Sequence, residues 1–144
     1  MRPQSTILLV EDNAAVTAAL CEVLSFYGYR LLTAGSIHEA DKALLCLGTA
    51  QVHLVISDIH LTRNPDVCEG YAFYQRWTLT HPSLPFILIS AFPSSRDLPA
   101  VRAQAVRFLE KPFEIEDLLH CVQDAIGAAI ISHDKCPQGQ TLGL

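Results

Sequence analysis

Four short apolar runs in this sequence each end in residues suited to phosphoryl chemistry. Ile7-Leu8-Leu9-Val10 leads into Glu11-Asp12, and Leu54-Val55-Ile56-Ser57 leads into Asp58. Phe86-Ile87-Leu88-Ile89 ends at Ser90, and Val106 to Glu110 ends at Lys111-Pro112. Carboxylates held together raise the cost of ionisation unless a cation neutralises them. With Asp58 alongside, Glu11 and Asp12 would make an all-oxygen cluster suited to Mg2+. A carboxylate can also attack phosphorus and form an acyl phosphate. Lys111 can pair with phosphate oxygens as a compact charge, and Ser90 can donate a hydrogen bond to another. Plainer uses exist for each. The acidic pair favours a helix N-terminus, the lysine suits a surface turn, and the serine can cap the following loop.

Whether these side chains meet depends on the elements that carry them. Short aliphatic runs separated by helical stretches read as buried parallel strands. In an open α/β sheet, ligands bind at the carboxyl ends of the strands, so all of these polar groups would share one rim. Between the strands, Asn13 can cap a helix with Val16, Ala19, Leu20, Val23 and Leu24 at helical spacing, closing near Tyr27-Gly28. Arg30 to Ala34 reads as a second strand. Ser36-x-x-Glu39 is a capping box opening a helix with Ala40, Ala43, Leu44 and Leu47 inward, and Gly48 closes it. The third strand is predicted over Val52 to Ser57 and the third helix over Gly70 to Thr80.

A fourth helix around Ser94 to Gln104 contains Pro99, so it is either short or begins at Pro99 itself. The last helix is predicted over Glu114 to Ile131. Its apolar Leu118, Leu119, Val122, Ala125, Ile126, Ala129 and Ile130 should mostly cover the sheet. Five βα units imply an α/β fold with a five-stranded, doubly wound parallel sheet and helices on both faces. One domain is expected over residues 5–131, with a polar tail or linker stub over 132–144.

Composition agrees with a sheet buried on both faces. Half of the 144 residues are hydrophobic and 17% are charged, which argues against disorder. The net charge of -5 gives no footprint for nucleic acid. No apolar run nears the roughly 20 residues that a membrane span needs, and Met1 to Ser5 leave no room for a signal peptide. A cytoplasmic location is expected. Cys21, Cys46, Cys68, Cys121 and Cys136 are odd in number and lack Cys-x-x-Cys spacing. Small buried thiols are expected, rather than disulfides or a zinc site.

Taken together, Ile7 to Asn13, the strand ending in Asp58, the Ser90-Ala91 pair and the stretch Phe108-Leu109-Glu110-Lys111-Pro112-Phe113 resemble the receiver domain of bacterial two-component response regulators. The resemblance covers roughly residues 5 to 131 and implies a flavodoxin-like, receiver-type sheet. It implies Asp58 as phosphoacceptor, charged by a histidine kinase or phosphotransfer protein. Asp12, Asp58 and the backbone carbonyl of His60 would bind Mg2+, with Glu11 acting directly or through water. Ser90 and Lys111 would hold the phosphoryl group. Phe108 matches the switch aromatic coupled to the hydroxyl at Ser90, and the surface of the fourth helix, fifth strand and fifth helix would change with it. The Lys111-Pro112 bond is cis in the family, as proline permits. His60 and Phe92 match positions that govern how water reaches the phosphoryl group. A phosphoacceptor of this kind is a regulatory module rather than an enzyme on external substrates.

Departures from the family pattern fall in two places. Thr62 stands where a proline is usual, and Gly70 lies twelve residues beyond Asp58, later than the family's glycine. The loop Thr62 to Glu69 is therefore long, and reads as an insertion or a specificity loop. Gln104 stands where glycine is favoured, so positive φ there would strain it. Partners implied are a kinase or phosphotransfer protein upstream, and downstream either a protein partner or an output domain. Nucleic acid and membrane are not expected partners, and a homodimer is left open. The rival reading is an aspartyl-phosphate phosphatase resembling the haloacid dehalogenase superfamily, from Asp58-Ile59-His60-Leu61-Thr62. There His60 stands where a second acid is required. A receiver fold kept as a non-phosphorylated scaffold is the third reading.

Overall fold

A computed structural model describes residues 4–62 and 64–133, the last five by their backbone alone. Five strands, β1 (Thr6–Val10), β2 (Arg30–Ala34), β3 (Leu54–Asp58), β4 (Phe86–Ser90) and β5 (Arg107–Glu110), form one sheet in the order β2-β1-β3-β4-β5. Every pairing is parallel. The helices are α1 (Ala14–Phe26), α2 (Ile37–Leu47), α3 (Glu69–Thr80), α4 (Pro99–Arg102) and α5 (Ile115–His133), with 3-10 segments at Thr49–Gln51 and Pro93–Asp97. The predicted α/β doubly wound sheet is the observed one.

Side chains alternate across the sheet, as the two-residue period of a strand requires. Leu8, Val10, Val55, Phe86 and Leu88 face one core with Ala40 and Leu44 of α2 and Phe73, Tyr74 and Trp77 of α3. Ile7, Leu9, Leu54, Ile56, Ile87 and Ile89 face the other, with Leu20 and Leu24 of α1 and Leu118, Leu119, Val122, Ala125 and Ile126 of α5. A strand covered on both faces must be apolar at nearly every position, which is why these runs stand out in the sequence. Helical faces are narrower than expected. Ala19 is exposed and Cys21 packs on the core instead; Leu47 is 39% exposed at the end of α2. The side chains of Ala129 and Ile130, residue 63 and the tail from 134 lie outside the described residues.

Local chemistry sets the element ends. Asn13 Oδ1 accepts from the amides of Ala15 and Val16 (2.9 and 3.1 Å), and Ser36 Oγ accepts from Glu39 N (3.2 Å). Glu39 completes a shifted capping box by accepting from Gly35 N rather than from Ser36 N. Gly28 and Gly48 have φ of 94° and 81°. The third strand begins two residues later than predicted, because Thr49–Gln51 turns before it, and it includes Asp58. The segment predicted as a fourth helix divides at Leu98 into the 3-10 piece and the four-residue α4, which begins at Pro99. Gln104 has φ of 57°. Its amide donates to Val101 O and that of Ala105 to Ala100 O (3.0 and 2.8 Å), so α4 ends in a Schellman motif with glutamine at the left-handed position.

Candidate functional site

Parallel pairing brings the polar strand ends to one edge. Asp58 is level with Ile89, and Ser90 with Glu110, the residue before Lys111. The chain leaves β5 through a cis Lys111-Pro112 bond, and Lys111 N donates to Ser90 O (2.8 Å). Pairing of β1 with β2 continues one residue beyond the strand, from Glu11 N to Ala34 O (3.0 Å). Glu11, Asp12, Asn13, Val16, Asp58, His60, Thr62, Ala91, Phe92 and Lys111 line a cleft of about 410 Å³.

Carboxylate oxygens of Glu11, Asp12 and Asp58 lie within 4.8 Å of one another; Glu11 and Asp58 are buried and Asp12 is exposed. Lys111 Nζ donates to Asp58 Oδ2 (2.8 Å) and to Glu11 Oε1 (3.0 Å). Burial pulls the pKa of this ammonium down, but its hydrogen bonds and charge interactions with Asp58 and Glu11 outweigh that, and the net shift is upward. The remaining oxygens are also used: Asp58 Oδ1 accepts from His60 N and Glu11 Oε2 from Asn13 N (both 3.2 Å). One ammonium against three carboxylates leaves an excess of negative charge at the mouth, on the exposed Asp12. That donor set is all oxygen, as a hard divalent cation requires.

Ser90 has 0% exposure, and its hydroxyl is engaged within the protein. It accepts from Phe92 N (3.0 Å) and is 2.7 Å from Ser95 Oγ. The His60 ring turns away from the carboxylates. Its Nδ1 lies 3.1 Å from Val67 O and its Nε2 3.1 Å from Ser95 Oγ, while the Phe92 ring packs on it at 80° with centroids 4.6 Å apart. Phe108 is half-buried beside Leu88 and packs on the α2/α3 core.

Gly70 fixes the start of α3. Its amide donates to Ile59 O (2.9 Å), and a Cβ there would overlap the carbonyl oxygen of Asp58. The twelve-residue interval therefore folds back to a single close contact. The loop between carries its own bonds: Leu61 N to Glu69 Oε1, Asp66 N to Asn64 Oδ1 and Val67 N to Asn64 O.

The model of the response regulator receiver domain matches residues 7–123. The chain belongs to the response regulator receiver family. It is 33% identical over 133 residues to response regulator protein FleR of Pseudomonas aeruginosa, covering 91% of this chain and 27% of that protein. It is 32% identical over 125 residues to sensor kinase CckA of Brucella abortus, covering 85% of this chain and 12% of that protein. The receiver domain thus spans about a quarter or less of these relatives. Among solved structures, the signal receiver domain of an HD domain-containing protein from Pseudomonas fluorescens Pf-5 superposes with a TM-score of 0.77 at 26% identity, covering 94% of this chain and 96% of that one.

In this receiver domain, Glu11, Asp12, Asp58 and Lys111 meet in the cleft, whereas the Ser90 hydroxyl is engaged by Ser95 and Phe92 and the His60 ring is bonded to Val67 and Ser95. Both nitrogens of that ring are committed elsewhere, so it does not stand as the acid/base that a dehalogenase-type phosphatase needs. Two contacts escaped the sequence reading. Ser95, 2% exposed, joins Ser90 to His60, and Tyr71 Oη accepts from Ala100 N (2.9 Å), tying α3 to the first turn of α4. Ser95 is one of two adjacent serines after β4, and nothing in its spacing singles it out. The expected burial of the thiols does not hold: Cys46 is exposed, and Cys21, Cys68 and Cys121 are only partly covered. Cys136 lies outside the described residues. Within the described residues no helix is long and apolar enough to cross a membrane.

Proposed function

We propose that residues 5–131 form a phosphorylation-activated signalling module with Asp58 as phosphoacceptor. The observation that carries this reading is the Lys111 bridge between Asp58 and Glu11 at the mouth of an acidic cleft. Asp58 is held by the ammonium on one oxygen and the His60 amide on the other. A nucleophile of this kind needs orientation more than activation. An Asp58 oxygen attacks the phosphorus of a phosphohistidine on a kinase or phosphotransfer protein. The P–N bond breaks as the acyl phosphate bond forms, its electron pair going to the imidazole nitrogen, which takes up a proton from solvent.

Asp12, Asp58 and the His60 carbonyl, with Glu11 directly or through water, are the groups that would hold Mg2+. The bound cation would offset charge on the transferring group. Lys111 exchanges part of its pairing with Asp58 for a phosphoryl oxygen, and Ser90 donates to another. Departure of Ser90 from its present partners frees space toward Phe108, and the surface of α4, β5 and α5 carries the change. Phosphorylation shifts that balance only by the difference in its contacts with the two states. The output is a protein partner, or an output domain in a longer chain; the proposed setting is the cytoplasm.

Intact mass after incubation with Mg2+ and acetyl phosphate tests the reading. One added phosphoryl group in wild type and none in Asp58→Asn is the expected result. No addition to the wild type would overturn it in favour of a scaffold role.

A further inference from the structure

Three side chains that share no strand form a continuous line of hydrogen bonds from β4 to the long loop before α3. Ser90 Oγ is 2.7 Å from Ser95 Oγ, Ser95 Oγ is 3.1 Å from His60 Nε2, and His60 Nδ1 is 3.1 Å from Val67 O. Ser90, Ser95 and His60 are all buried, at 0%, 2% and 7% exposure. Their polar atoms therefore depend on one another rather than on water.

The direction of this line follows from its far end. A carbonyl oxygen only accepts, so in the neutral ring Nδ1 carries the hydrogen and donates to Val67 O. Nε2 is then an acceptor, and the bond to it must come from the Ser95 hydroxyl. With its hydrogen spent on His60, Ser95 accepts from Ser90. Ser90 in turn accepts from Phe92 N. Every donor points one way, from the β4 terminus toward the loop, and aligned bonds of this kind strengthen one another.

We propose that Ser95 and His60 are positioning residues that couple occupancy of Asp58 to the loop around Val67. This rests on the phosphoacceptor reading above. Ser90 has one hydrogen to donate; Ser95 Oγ at 2.7 Å is its nearer acceptor and Phe92 O at 3.3 Å the farther one. A phosphoryl oxygen at Asp58 can accept that hydrogen only if Ser90 releases Ser95. Ser95 is then left, fully buried, with an acceptor that has lost its donor, an unfavourable state that favours rearrangement of Pro93–Asp97. The bond to His60 weakens with it, and so does the hold of His60 on Val67. The segment around Val67 thereby becomes a second surface that reports phosphorylation. The same line, while intact, holds Ser90 on Ser95.

Amide hydrogen exchange at Asp66 and Val67 tests the coupling, with trifluoroberyllate as the phosphoryl mimic and the 19F spectrum reporting adduct formation. In wild type, the adduct should speed exchange at these amides about fivefold, the scale of one net hydrogen bond. Ser95→Ala should exchange at the faster rate without the adduct and change little when it forms. Ser95→Thr retains the hydroxyl and should restore the wild-type response. Adduct formation with unchanged exchange in wild type would overturn the coupling alone. An Ser95→Ala response equal to that of wild type would overturn it too. Absence of any adduct in wild type would overturn the phosphoacceptor reading and the coupling with it.

Discussion

Lys111 Nζ bridges Asp58 and Glu11 at 2.8 and 3.0 Å, joining residues 53 and 100 positions away in sequence. The contact holds the ends of β1, β3 and β5 together where three carboxylates cluster. Removing the lysine would leave two buried carboxylates with no cation. Because Lys111 is itself partly open to solvent, with 23% side-chain exposure, the cost falls short of a fully buried pair.

Lys111→Met should therefore lose about 2 kcal/mol of stability in metal-free buffer. Added Mg2+ should raise the Tm of the variant more than that of wild type, since the cation takes over part of the missing charge. The folded state lifts the Lys111 pKa above the ordinary lysine value. Its contribution is complete below about 10.4 and is lost as pH rises through the higher folded value. From neutral pH upward, the stability difference between wild type and variant, measured by urea unfolding, should accordingly shrink only in strong alkali. A difference that shrinks already near neutrality would contradict this.

Gly70→Ala should be among the costliest small substitutions in the chain. The new Cβ would stand 2.8 Å from the carbonyl carbon of Asp58 and 3.0 Å from Ile59 Cα, against backbone that cannot swing aside. A loss of about 3 kcal/mol is expected, at the upper end for overpacking. The same clash pushes on the strand end that carries Asp58, so acetyl phosphate should also modify the variant more slowly. Urea midpoints and intact-mass time courses read the two effects.

The contrast between Asp58 and Ser95 shows how much of this site the sequence makes legible. Asp58, Ser90 and Lys111 close apolar runs, and parallel pairing aligns the ends of such runs. Strand pattern alone therefore predicts their meeting. Asn13 and Ser36 are equally legible, because a cap is a local interaction within a few residues. Ser95 sits in a 3-10 segment with no period, and its partners at positions 60 and 90 come from two other strands' ends. Only the fold brings them together. The exposure of Ala19 and Leu47 was hidden for a different reason. On helices of 13 and 11 residues, the apolar pattern marks a face but not its edges.

Gln104→Gly should stabilise the receiver. Gln104 occupies the left-handed position of the Schellman motif at φ 57°, where a side chain costs about 1 kcal/mol and glycine nothing. Part of that gain is offset by the greater freedom of glycine in the unfolded chain, so a net rise of about 0.5 kcal/mol is expected. Calorimetry should show a small increase in Tm with no change in the rate of phosphorylation, because Gln104 lies at the opposite end of β5 from Lys111. A lower Tm would mean that the glutamine side chain supplies contacts worth more than the strain.

Phe92→Ala should shorten the lifetime of the phosphorylated form. Phe92 lines the cleft together with Asp58 and Lys111, and its ring packs on His60 nearly at right angles. On the proposed reading, the acyl phosphate would be lost when water attacks phosphorus from the open side of that cleft. An aromatic ring there excludes water from part of the approach, and alanine would uncover it. His60 would lose a packing partner but keep its bonds to Ser95 and Val67, so the fold around Ser90 should persist. Loss of phosphoryl mass after removal of acetyl phosphate should be several-fold faster in the variant than in wild type. An unchanged lifetime would show that Phe92 does not control the approach of water and that the ring serves only to pack His60.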